Sequence, residues 1–116
     1  LEVKSANTPD ETRTFEKGKL ELVNIGETTI ARAVFQPGWR WSTHVKPIAK
    51  TKSCEALHLW YQISGTLHVV MDDGAEREIK AGDVGLIPPG HDGWVVGNEP
   101  VVAVDFQGSA KQSTKK

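Results

Sequence analysis

Turn residues interrupt this chain about every eight to twelve positions, and the apolar runs between them are short. Pro37-Gly38, Ser64-Gly65, Asp72-Asp73-Gly74, Ala81-Gly82-Asp83, Pro88-Pro89-Gly90 and Asn98-Glu99-Pro100 are the clearest breaks. Glycine accepts the backbone angles of tight turns and proline removes a ladder donor, so central strands stop at these points. The stretches between them read as strands: Lys19–Ile25, Thr29–Gln36, Trp39–Val45, His58–Ile63, Thr66–Met71, Glu76–Lys80, Val84–Ile87, Trp94–Gly97 and Val101–Phe106. Thr66–Met71 alternates, with Leu67, Val69 and Met71 on one face and His68 on the other, where it reads as a surface residue. No segment keeps a helical period over three turns; a single turn near Pro9–Thr14 or Ser53–Leu57 is the most the pattern allows. The expected class is all-β, a sandwich or barrel with little or no helix.

At 116 residues the chain is one domain's worth. Residues 1–14 read as an N-terminal arm or edge strand, 15–106 as the barrel domain and 107–116 as a polar tail. Fourteen basic and fifteen acidic residues leave a net charge of −1, so no positive excess points to nucleic acid or an anionic membrane. Cys54 is the single cysteine, which rules out an intrachain disulfide and fits a reducing compartment. No apolar run approaches the roughly 18–20 residues of a membrane span, and the N-terminal residues show no signal pattern. The expectation is a soluble cytoplasmic protein with neither a nucleic-acid nor a membrane partner.

The order of strands and turns resembles the cupins, small double-stranded β-helix barrels of the jelly-roll class. Gly38 is followed after five residues by His44, and His58 after six by Gly65 in HLWYQISG. Gly82 is followed after five residues by Pro88 and then Gly90 in GDVGLIPPG, and Asn98 lies where the second cupin motif commonly ends. The likeness covers about residues 15–106. The metal-ligand half of the motif departs from the family: Lys46 stands where the paired histidine would be, His58 at the glutamate position, and Gly93 at the last histidine. The resemblance implies a cavity that binds a small organic molecule, a homodimer, and chemistry of the dioxygenase, isomerase or hydrolase type, or ligand binding and sensing without turnover.

Three histidines at or beside motif positions, His44, His58 and His91, are the expected metal ligands, suited to a divalent transition metal such as Zn, Fe, Mn or Ni. Asp92 is a substitute ligand or an acceptor for a ligand histidine's N–H. Strand parity puts Ser42 and Lys46 on the face of His44, and Trp60 and Gln62 on that of His58. Lys46, Trp60, Gln62 and Asp92 are therefore the cavity or ligand-binding candidates. Cys54 lies four residues before His58, roughly 13 Å along an extended strand, so contact between them needs an intervening turn. It reads as a packed residue, neither nucleophile nor ligand. No catalytic residue is assigned.

Overall fold

The computed structural model describes residues 1–107. The tail expected over 107–116 lies, apart from Gln107, outside the described residues. Nine strands follow in order: β1 (Glu11–Phe15), β2 (Gly18–Ile25), β3 (Thr28–Phe35), β4 (His58–Ser64), β5 (Thr66–Met71), β6 (Glu76–Ile79), β7 (Val84–Ile87), β8 (His91–Val96) and β9 (Val101–Asp105). Two four-residue helical turns, α1 (Trp41–His44) and α2 (Lys46–Ala49), sit between β3 and β4.

All strand pairs are antiparallel. One sheet has the order β1-β2-β3-β9-β4-β7 and the other β6-β5-β8. The inner faces carry the core: Leu20, Leu22, Ala31, Ala33, Phe35, Trp60, Val101 and Ala103 from the first sheet, Leu67, Val69, Ile79 and Val95 from the second. Alternation sets these faces residue by residue. In β4, His58, Trp60 and Gln62 are buried while Leu59, Tyr61 and Ile63 are exposed. In β8, His91, Gly93 and Val95 are buried, and the residues between them are half-buried. Part of the expected N-terminal arm is β1, the outer strand of the larger sheet.

Gly65 shows why the turns fall where they do. Its φ is +78°, and a Cβ there would stand 2.4 Å from the Pro100 carbonyl oxygen. Only glycine lets the β4–β5 connection pass this closely over the start of β9.

The expected strand Trp39–Val45 is not a strand. Arg40 makes one isolated bridge to Trp94, and the chain then coils through α1 and α2. Neighbouring groups hold α1. The Ser42 N–H donates to Asp92 Oδ1 at 3.0 Å, and the Arg40 N–H donates to His44 Nδ1 at 3.0 Å. Pro47 lies in the first turn of α2, where its missing N–H costs nothing, and Lys50 ends that turn in the left-handed conformation. A tertiary contact from β8 thus decides the local structure, and strand parity does not apply here.

Candidate metal centre

Cys54 enters the barrel through backbone bonds to β8. Its N–H donates to the His91 carbonyl at 2.8 Å, and its carbonyl accepts from the N–H groups of Gly90 and His91 at 2.7 and 3.2 Å. Ser53 fastens the same segment, its hydroxyl donating to Asp72 Oδ2 at 2.9 Å. Between this bridge and the start of β4, residues 55–57 arch instead of extending. Cys54 Sγ therefore reaches 3.4 Å from His58 Nε2. The expectation of a packed cysteine well removed from His58 is corrected accordingly.

The two histidines face each other across the space between the sheets, with ring centroids 5.1 Å apart. Each has one ring nitrogen held from behind. His58 Nδ1 lies 2.7 Å from Asp105 Oδ2, and His91 Nδ1 lies 2.7 Å from the Pro88 carbonyl oxygen. In the neutral imidazole, an acceptor at Nδ1 keeps the proton there and leaves Nε2 with its lone pair. One ligand atom each from Cys54, His58 and His91 lies within 4.8 Å of the others, and all three residues are buried. Metal-binding histidines are oriented in the same way, by a carboxylate or a backbone carbonyl on the second nitrogen.

The electrostatics couple the sulfur to the two rings, and a metal ion bound here would displace the His58 proton. Burial pushes the Cys54 thiol up, but hydrogen bonds and charge from His58 and His91 outweigh it and lower the thiol to about 7. For His58, burial pushes the pKa down, but the Asp105 carboxylate, and then Cys54, raise it to about 9. Asp105 is 1% exposed, and its second oxygen accepts the Gln107 N–H at 3.0 Å. A thiolate and two imidazoles held from behind fit a thiophilic divalent ion, with one position left for water or a ligand.

These residues form part of the wall of a cavity of about 70 Å³. One water needs roughly 10–15 Å³. The rest of the wall is hydrocarbon and aromatic, including Phe35, Trp39, Trp41, Trp60, Leu67 and Val69. Phe35 and Trp39 stack with centroids 3.8 Å apart and planes within 2°. The Trp60 indole N–H donates to Gln62 Oε1 at 2.8 Å, and the Gln62 amide N–H donates to the Gly65 carbonyl at 3.1 Å. The buried Trp39 and Trp41 indole N–H groups find no acceptor among the described residues. An unpaired buried donor costs about 1–3 kcal/mol.

His58 and His91 of the expected ligands meet in this cluster, and His44 does not. The His44 ring packs back on Arg40 at the start of α1, with Nε2 3.7 Å from a Glu16 carboxylate oxygen. Cys54 takes the third place. Asp92 caps α1 and lies 3.6 Å from the Arg40 guanidinium, which stacks over Trp94. Lys46 is exposed at the start of α2. Trp60 lines the cavity, whereas Gln62 is fully buried and serves the Trp60 N–H. His68 lies on the outward face of β5, stacked on Trp94 and 2.7 Å from Glu76. Sequence reasoning missed Asp105 altogether; an acid at an inward-facing position of an apolar strand was the available signal.

Two antiparallel sheets packed face to face in this strand order are the architecture of the double-stranded β-helix class, and known structures share it. A Cupin 2 conserved barrel domain protein from Salinispora arenicola superposes with a TM-score of 0.62 at 18% identity, covering 97% of this chain and 92% of that one. A Klebsiella pneumoniae protein with a double-stranded β-helix domain gives 0.59 at 19% identity, over 91% and 83% of the two chains. A cupin-like protein from Thermotoga maritima gives 0.57 at 18%, over 84% and 74%. The chain has the cupin fold. No family model matches the sequence, and no curated protein does. Among the described residues, no helix is long and apolar enough to cross a membrane.

Proposed function

We propose that this protein is a metal-dependent cupin in which Cys54, His58 and His91 hold a divalent transition metal beside a cavity for a small organic molecule. The observation that carries this reading is the pair of occupied Nδ1 atoms. Asp105 and Pro88 bind them from behind, so both histidines turn Nε2 toward one buried sulfur. Zinc, iron and nickel suit a thiolate–imidazole set better than manganese, which favours oxygen ligands. When bound, such an ion supplies a Lewis acid at an open position. Asp105 orients His58 and stabilises charge on it, Pro88 fixes His91, and the aromatic wall excludes water and positions the ligand's apolar body.

The test is elemental analysis by mass spectrometry of tag-free protein purified without chelators. Near-stoichiometric zinc, iron or nickel is expected, lost in Cys54→Ser and in His91→Ala. Wild-type protein that takes up none of these ions, even after soaking, would overturn the reading.

A barrel that binds a small molecule without turning it over is the second reading. It is favoured by the cavity wall, which among the described residues carries no carboxylate or lysine to act as acid or base. Stabilisation by a ligand that is never consumed would mark this case.

A further inference from the structure

Strands β6 and β7 follow one another through a tight turn, in which the Asp83 N–H donates to the Lys80 carbonyl at 2.9 Å. They nevertheless do not pair. β6 ends the smaller sheet and β7 ends the larger one, so two sheet edges border one seam. A cleft of about 600 Å³ lies along it, within the roughly 300–1,000 Å³ typical of ligand sites. It is separate from the cavity beside Cys54 and shares only Val69 and Ile87 with that wall. Met71, Ile79 and Ile87 give it an apolar floor. Ile79 closes this floor against β7, since a Cβ on Gly85 would stand 3.4 Å from Ile79 Cδ1.

Hydrogen-bond parity shows which backbone groups each edge presents. In an antiparallel ladder, residues that bond the neighbouring strand alternate with residues that point away from it. The Gln62 N–H donates to the Asp83 carbonyl at 2.9 Å, so Gly85 and Ile87 bond β4, in register with Trp60 and His58. Val84 and Leu86 therefore turn their N–H and C=O groups off the edge, and they are 72% and 67% exposed. On β6 the Met71 N–H donates to the Ala75 carbonyl at 2.7 Å, so Arg77 and Ile79 bond β5 while Glu76 and Glu78 point their backbone groups away. The Lys80 N–H, next in that series, is taken by Asp83 Oδ2 at 2.8 Å. Among the described residues no strand pairs with either edge.

Charge divides the two edges. Native edge strands are shielded from stray pairing by charged side chains, and β6 carries Glu76, Arg77 and Glu78. β7 reads Val84-Gly85-Leu86-Ile87, with neither a charge nor a proline. The cleft wall holds three carboxylates, Glu76, Glu78 and Asp83, against the one guanidinium of Arg77. His68 approaches Glu76 and Glu78 from the outer face of β5, at 2.7 and 3.9 Å.

We propose that the β7 edge accepts an extended segment of a partner protein by strand addition, and that this segment alternates apolar and basic side chains. Its backbone pairs with the outward N–H and C=O groups of Val84 and Leu86. Its apolar side chains lie on the floor of Met71, Ile79 and Ile87, and its lysines or arginines meet the carboxylates of Glu76, Glu78 and Asp83. An acidic segment meets like charge there and is rejected. The site goes beyond the metal reading and does not depend on it.

The experiment is fluorescence anisotropy of the full chain with a labelled synthetic peptide of about eight residues alternating lysine and valine, enough to span the four-residue β7. A glutamate–valine peptide and a lysine–valine peptide N-methylated at alternate residues are the controls. The lysine–valine peptide is expected to bind, and each control to bind at least about tenfold more weakly. Leu86→Pro removes one outward N–H and no bond to β4, and should weaken binding about tenfold. Glu76→Gln combined with Glu78→Gln should weaken it roughly fivefold and reduce its salt dependence. Equal affinity for the lysine and glutamate peptides, indifference to N-methylation, or no binding up to about 1 mM protein overturns the proposal. The comparison of peptides uses wild-type protein, so it decides the question even if Leu86→Pro fails to fold. Sedimentation of the same samples tests the other occupant. Self-association that Leu86→Pro abolishes would mean that a second copy fills the edge, and it too would overturn the proposal.

Discussion

Replacing Asp105 by Asn keeps the shape of the side chain and removes its charge, so the variant isolates what the carboxylate does for His58. The two groups are 2.7 Å apart, and both are buried. In the metal-free protein, the folded His58 pKa is about 9, against the ordinary 6.5. The difference corresponds to about 3 kcal/mol of stability. Because the folded value is the higher one, this contribution is complete below pH 6.5 and is lost as the pH rises through 9. Most of it is present at pH 7 and little remains at pH 9. Asp105→Asn removes most of it. Urea unfolding of chelator-treated wild type and variant at pH 6, 7 and 9 measures the loss. At pH 6 the midpoint is expected to fall by roughly 1–2 M, and at pH 9 the two proteins should nearly coincide. A destabilisation of equal size at all three pH values would refute the reasoning. It would mean that Asp105 acts through shape or through its bond to the Gln107 N–H, not through charge on His58.

Four further outcomes follow from the same geometry. His44→Ala should leave the metal content unchanged, because His44 lies outside the ligand cluster; loss of stoichiometric metal, measured by elemental analysis, would reinstate it. Gln62→Leu should cost about 2–4 kcal/mol in urea unfolding, since it strands the Trp60 N–H and the Gly65 carbonyl together. Adding Trp60→Phe should recover part of that cost, and strict additivity of the two changes would contradict the pairing. Gly65→Ala should destabilise by more than about 2 kcal/mol, because the added carbon meets the Pro100 backbone; a thermal midpoint within a degree of wild type would rule out that contact.

The all-β class and the strand positions over the second half were legible in the sequence, because glycine and proline breaks and period-two alternation are local signals; the barrel was implied by the resemblance to the cupins. His58 and Trp60 faced inward as parity required, and His91 took its place at the cavity although the expected strand began only at Trp94. Parity failed between Trp39 and Ala49. There Asp92, fifty positions away, accepts the Ser42 N–H and turns the chain into a helical turn. The shared strand face that parity predicts for His44 and Lys46 therefore does not exist. Extended-chain distance separates Cys54 from His58, yet its backbone pairing with His91 bends the chain and brings sulfur and imidazole together. Asp105 showed the same limit from the other side, because an acid near the end of a valine-rich strand acquires its role only when β9 pairs with β4. The order of turns along the chain determined by itself that this is an all-β domain of short antiparallel strands. Which side chains form the buried cluster was decided only by tertiary structure, because ligand atoms from β4, β8 and the segment before β4 converge through hydrogen bonds between residues far apart in sequence.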